Sequence, residues 1–142
     1  MKAVVVGYDG TDTARLAVLE AAALARAFDA ELHLVHVVDD DRLRQGMITA
    51  DVQEHSEEAA AAAIDALLSP AELKEEIADL TTHVEVVSGA AARCILDYVS
   101  SIGADLIVVG NRRVQGIERL LGSVAIDVLR HAPCSVYVAH TG

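Results

Sequence analysis

Two glycine-bounded segments carry residue types suited to holding a small anion. The first is Gly7-Tyr8-Asp9-Gly10-Thr11-Asp12, and the second runs from Gly110-Asn111-Arg112-Arg113 to Leu120-Leu121-Gly122-Ser123-Val124. A glycine loop that ends at a helix start offers unpaired backbone N–H groups and the positive end of the helix dipole. Gly122 would let an anion approach the backbone, while Ser123 and the N–H of Val124 could donate hydrogen bonds to it. Arg112, Arg113 and Arg119 place three of the eleven basic residues between Gly110 and Ser123, against the single acid Glu118. The same residues also read as a structural turn followed by an ordinary helix cap, and at this level both readings stand. Asp9 likewise reads either as a ligand contact beyond a strand end or as the start of the turn into a helix.

Other chemistries lack their residues. The six histidines show no metal spacing. His33 and His36 lie three apart on an expected strand and should point to opposite faces, and His131 falls at an expected helix C-terminus, where positive charge is favourable. All six are expected to be structural, with no metal site. Cys94 and Cys134 give neither metal spacing nor a disulfide framework and read as small buried hydrophobes in a reducing cell. No Cys/His pair, Gly-x-Ser-x-Gly elbow, P-loop or Gly-x-Gly-x-x-Gly fingerprint occurs, so nucleophilic hydrolysis and P-loop chemistry lack their machinery.

The elements that must position the two loops follow from the alternation of short β-branched runs with longer helical patterns. Residues 3–6, 32–38, 82–87, 106–109 and 135–139 read as five strands. Runs 3–6 and 106–109 are apolar on consecutive residues, as for central strands of a parallel sheet, whereas 82–87 alternates in part and has a wetter side. Ala14, Ala17, Ala21, Leu24 and Phe28 form one helical stripe with Thr11 or Asp12 as its N-cap. A polar loop at 39–50 precedes a helix expected over 51–68. Ser69, Pro70 and Glu72 then reset the chain into a short helix reaching about Asp79. Ala92, Ile95, Leu96, Val99 and Ile102 mark a further helix ended by Gly103, and Ser123 is expected to cap a last one stopped by Pro133. Right-handed crossovers then give an α/β fold: a single domain over 1–142, with a doubly wound, five-stranded parallel sheet and helices on both faces. Ligands of such sheets bind beyond the carboxyl ends of the strands at the switch point, which here means after the first and fourth strands.

Composition narrows the partners. The chain has 142 residues and a formal net charge of −11, unsuited to neutralising nucleic-acid phosphates or an anionic membrane surface. Much of that charge is local, with twelve acids against three bases in residues 39–79, while Gly110 to Ser123 carries +2. Aromatics are 3%, so the core must be aliphatic. The opening residues contain an apolar run too short for a signal-peptide core, and no stretch reaches the roughly eighteen apolar residues of a membrane span. A soluble, cytoplasmic protein is expected.

Gly7-Tyr8-Asp9-Gly10-Thr11-Asp12, Leu34-Val35-His36-Val37-Val38-Asp39, Ala104-Asp105-Leu106-Ile107-Val108-Val109-Gly110-Asn111-Arg112 and Leu120-Leu121-Gly122-Ser123-Val124, followed by Leu129-Arg130-His131-Ala132-Pro133-Cys134, resemble the universal stress protein family in order along nearly the whole chain. The resemblance implies strand order 3-2-1-4-5, a regulatory stress-response role without efficient turnover and, in one subgroup, ATP between the first and fourth strand ends. Gly7, Tyr8 and Asp9 would then contribute contacts, with Asp9 near the ribose or a bound metal. Val37 would offer its backbone to the adenine edge, Val109 would line the base pocket, and Gly110, Arg112, Arg113, Gly122, Ser123 and Val124 would surround the phosphates. The cofactor implied is ATP or another adenine nucleotide, with or without Mg. The subgroup's motif is glycine, two residues, glycine, nine residues, then glycine with Ser or Thr. Here Arg113 replaces the second glycine and only residues 114–121 precede Gly122, so a protein acting through protein contacts alone is the alternative. An ATP pyrophosphatase-type enzyme shares the general sheet, but Gly7-Tyr8-Asp9-Gly10 lacks its serine and adjacent glycines; weak ATP hydrolysis at most is expected. The resemblance also implies a homodimer, formed by antiparallel pairing of the last strand at Val136, Tyr137 and Val138.

Overall fold

A computed structural model of the chain describes residues 1–9, 11–38, 71–111 and 122–140. Its elements are β1 (Ala3–Gly7), α1 (Asp12–Phe28), β2 (Glu31–Val38), α2 (Ala71–Ile77), β3 (Thr82–Ser88), α3 (Ala91–Ile102), β4 (Leu106–Gly110), α4 (Ser123–His131) and β5 (Ser135–Ala139). The sheet has five strands in the order β3-β2-β1-β4-β5, and every pairing is parallel. The five strands fall where the β-branched runs place them. The expected loop at 39–50, the helix over 51–68 and the Ser69-Pro70 cap lie outside the described residues.

Period-two alternation along the strands divides the core between two faces. Val4, Val6, Leu32 and Leu34 pack with α1 and with Leu73 and Ile77 of α2, while Val5, Val35, Ile107 and Val109 pack with α3 and α4. Burial on both faces accounts for the unbroken apolar runs of β1 and β4. The edge strand β3 is half-buried at best along its length, matching its mixed sequence.

Thr11 caps α1, its hydroxyl accepting from the Ala14 amide at 3.1 Å. The buried stripe of α1 is Ala17, Val18, Ala21, Ala22 and Ala25, rotated from the expected one, and Phe28 is exposed. Close approach to the sheet selects the small side chains and leaves Leu24 and Phe28 at the rim. Gly103 ends α3 with φ 64° and ψ 43°, the left-handed conformation that L side chains resist. Ser123, expected as a cap, is instead the first helical residue of α4. The cap is Gly122, whose extended backbone (φ −66°, ψ 164°) lets its carbonyl accept from the Ile126 amide at 3.0 Å.

Candidate functional site

The carboxyl ends of β1 and β4 part above the sheet, and a cleft of about 270 Å³ opens there. Its size is close to the lower bound, about 300 Å³, of small-molecule pockets. Gly7, Tyr8, Asp9, Val37, Val109, Gly110, Gly122, Ser123 and Val124 all line it. Arg112 and Arg113 lie outside the described residues.

Each wall has a local cause. At the end of β1, the Tyr8 amide donates to the Val35 carbonyl at 2.9 Å, while its own carbonyl accepts from His36 Nδ1 at 2.8 Å. The chain is thereby held to β2 as it leaves the sheet, and a carbonyl acceptor fixes the proton of His36 on Nδ1. The Tyr8 ring is buried, which pushes its phenol pKa up. Asp9 Oδ1 accepts from both the amide (3.0 Å) and the hydroxyl (2.6 Å) of Thr11. This is the turn-starting role of Asp9, and it couples directly to the α1 cap because Thr11 in turn accepts from Ala14.

Gly7 keeps the floor low, since a Cβ there would stand 3.1 Å from Ile95 Cδ1. Ile95 belongs to a set of lining residues that the loops do not announce, together with Thr13, Ala14, Ala17, Val35, Ala91, Val108 and Ala125. The helical stripes containing Ala14, Ala17 and Ile95 were the available signal. Opposite, α4 begins at the cleft without any side-chain cap. Its first amides have no acceptor within the helix, so the cleft combines an apolar wall of Val37, Val109 and Ile95 with a row of donors at a dipole's positive end.

A profile of the universal stress protein family matches residues 1–140. The chain belongs to this family. A universal stress protein of Methanocaldococcus jannaschii is 33% identical over 145 residues, covering 96% of this chain and 81% of the relative. Among solved structures, the universal stress protein UspA of Lactobacillus plantarum superimposes with a TM-score of 0.72 at 28% identity, covering 98% of this chain and 97% of that one. A universal stress protein solved in complex with cAMP gives a TM-score of 0.70 at 27% identity, covering 99% and 98%. These two solved structures share the fold found here.

Away from the cleft, this universal stress protein departs from the expectation about its histidines. His33, His83 and Glu31 come together at the amino ends of β2 and β3, with donor atoms all within 4.8 Å of one another. The sequence comparison of His33 with His36 missed this group because its members meet across strand register. The two cysteines form no disulfide, are only partly buried, and the Cys134 thiol pKa is pushed up by burial. Among the described residues, no helix is long and apolar enough to cross a membrane.

Proposed function

We propose that the cleft binds an adenine nucleotide, ATP foremost, and that the protein acts as a regulatory stress-response protein rather than an enzyme. The observation that carries this reading is the uncapped start of α4 facing an apolar pocket at the sheet's switch point. The base would lie against Val37 and Val109, the ribose near Asp9, and the phosphates over Gly110, Gly122, Ser123 and Val124, with Arg112 and Arg113 supplying countercharge. The solved relative that carries cAMP supports an adenine ligand. The donor set also accommodates Mg²⁺ in the way nucleotide sites usually do, mainly through phosphate oxygens with one carboxylate, here Asp9.

The same reading makes the protein a cytoplasmic homodimer of one domain spanning 1–142, paired through Val136, Tyr137 and Val138 of the edge strand β5. Calorimetric titration with ATP, AMP and cAMP tests the nucleotide assignment. Saturable binding is expected, and a ligand at a hundred times its Kd would add about 2.7 kcal/mol of stability. Absence of both heat and thermal shift at millimolar nucleotide overturns it in favour of a protein acting through protein contacts alone.

A further inference from the structure

On the α3 side of the sheet, two imidazoles and a carboxylate converge. Parallel register sets His33 opposite His83, and Glu31 stands two residues before His33 on the same face of β2. Glu31 Oε2 lies 3.3 Å from His33 Nε2 and 3.2 Å from His83 Nε2. An ion held tetrahedrally at about 2.0–2.2 Å from each ligand separates neighbouring ligand atoms by about 3.4 Å. Both carboxylate–imidazole edges therefore already have the required length. The two rings stack with centroids 4.6 Å apart and planes 21° apart, so one carboxylate serves both Nε2 atoms.

We propose that Glu31, His33 and His83 bind one divalent transition-metal ion of the Zn²⁺ class, which clips the edge strand β3 to β2. Two imidazole nitrogens with one carboxylate suit such an ion and not Mg²⁺ or Ca²⁺, which take oxygen ligands. The outer support is also in place. The Tyr98 hydroxyl of α3 lies 2.7 Å from His33 Nδ1, and by accepting a hydrogen bond from Nδ1–H it would keep the proton there and leave the Nε2 lone pair for the metal.

His33 is buried and held by the core, whereas Glu31 and His83 are half exposed, which gives the ion a route in and leaves the fourth coordination position to water. Glu85, two residues beyond His83, acts electrostatically on both His33 and Tyr98 and adds negative charge beside the site. The group lies about 13 Å along β2 from Val37, at the opposite end of the strand, so the proposal is independent of the nucleotide.

The test is a Zn²⁺ titration of the chelator-treated full chain at neutral pH without nucleotide, followed by calorimetry and thermal unfolding. One saturable equivalent that raises Tm is expected, unaffected by millimolar Mg²⁺, with Co²⁺ giving the intense visible absorption of a tetrahedral complex. His83→Gln and Glu31→Gln alter half-exposed side chains, so the fold should persist, as far-UV circular dichroism would check. Each should weaken binding about tenfold or more, and Tyr98→Phe about tenfold, while His131→Gln leaves it unchanged. No saturable binding at micromolar Zn²⁺ overturns the proposal. So does an equivalent that survives unchanged in both His83→Gln and Glu31→Gln, or one displaced by Mg²⁺.

Discussion

Asp105 fastens two strands with one oxygen. Its Oδ2 accepts from the amides of Lys2 at 2.6 Å and Ala3 at 3.1 Å, joining the start of β1 to the residue that leads into β4. Those two N–H groups, Lys2 first, hold the carboxyl below the usual carboxylate range. A depressed folded-state value means that the unfolded chain takes up the proton first on acidification. The contribution to stability is therefore present above the usual carboxylate range and is lost as pH falls through Asp105's own lower value. Asp105→Asn should unfold at lower urea than the parent at neutral pH, and the difference in midpoint should shrink towards zero in acid. A difference that stays constant across the acid range would refute the assignment. The sequence identified Asp105 only as the residue before a strand, because its partners are backbone groups about a hundred positions away. Asp9 was more legible, since its partner Thr11 is two residues on and the turn it starts is a local preference of Asp.

The two helix starts at the cleft are built differently, and the contrast is functional. Thr11 occupies one α1 amide, that of Ala14, with its own hydroxyl, whereas Gly122 brings no side chain to α4. Residue preference favoured Ser123 as the cap, yet Gly122 also fits that position, and neighbouring cap candidates cannot be separated by type alone. The backbone at Gly122 lies in a region open to any residue, so an aspartate there carries no conformational penalty. Its carboxylate would satisfy an α4 amide and interact favourably with the helix dipole, adding a few tenths of a kcal/mol. It would also put negative charge where the nucleotide's phosphates are proposed to sit. Gly122→Asp should therefore hold or raise Tm while lowering nucleotide affinity at least tenfold, as read by thermal unfolding and calorimetry on the same preparation. Undiminished affinity in this variant would remove the α4 start from the site.

At the scale of the molecule, legibility followed the range of the interactions. The strands were readable because burial on both faces demands apolar runs, and the cleft loops because glycine and turn chemistry act within a few residues. The His33–His83 pairing was not, since register between parallel strands is set by packing distributed over the whole sheet. Assembly is the remaining question at this scale, and the strand order poses it directly by leaving β5 at an edge. That edge carries no charge or proline to discourage pairing, and Tyr137 and Val138 are 39% and 38% exposed. Leu129 and Ile126 on α4 add further exposed apolar surface. A twofold axis beside β5 would cover its edge with the same strand of a second copy and place like residues close together. Val138→Asp would then bring two carboxylates into one interface, where like charges on paired strands repel. Sedimentation at micromolar concentration should give a dimer for the parent and a monomer for Val138→Asp, with far-UV circular dichroism unchanged. Because no residue lining the cleft lies on β5, the monomeric variant should retain nucleotide binding. A parent that sediments as a monomer, or a variant that remains dimeric, would take the interface away from β5.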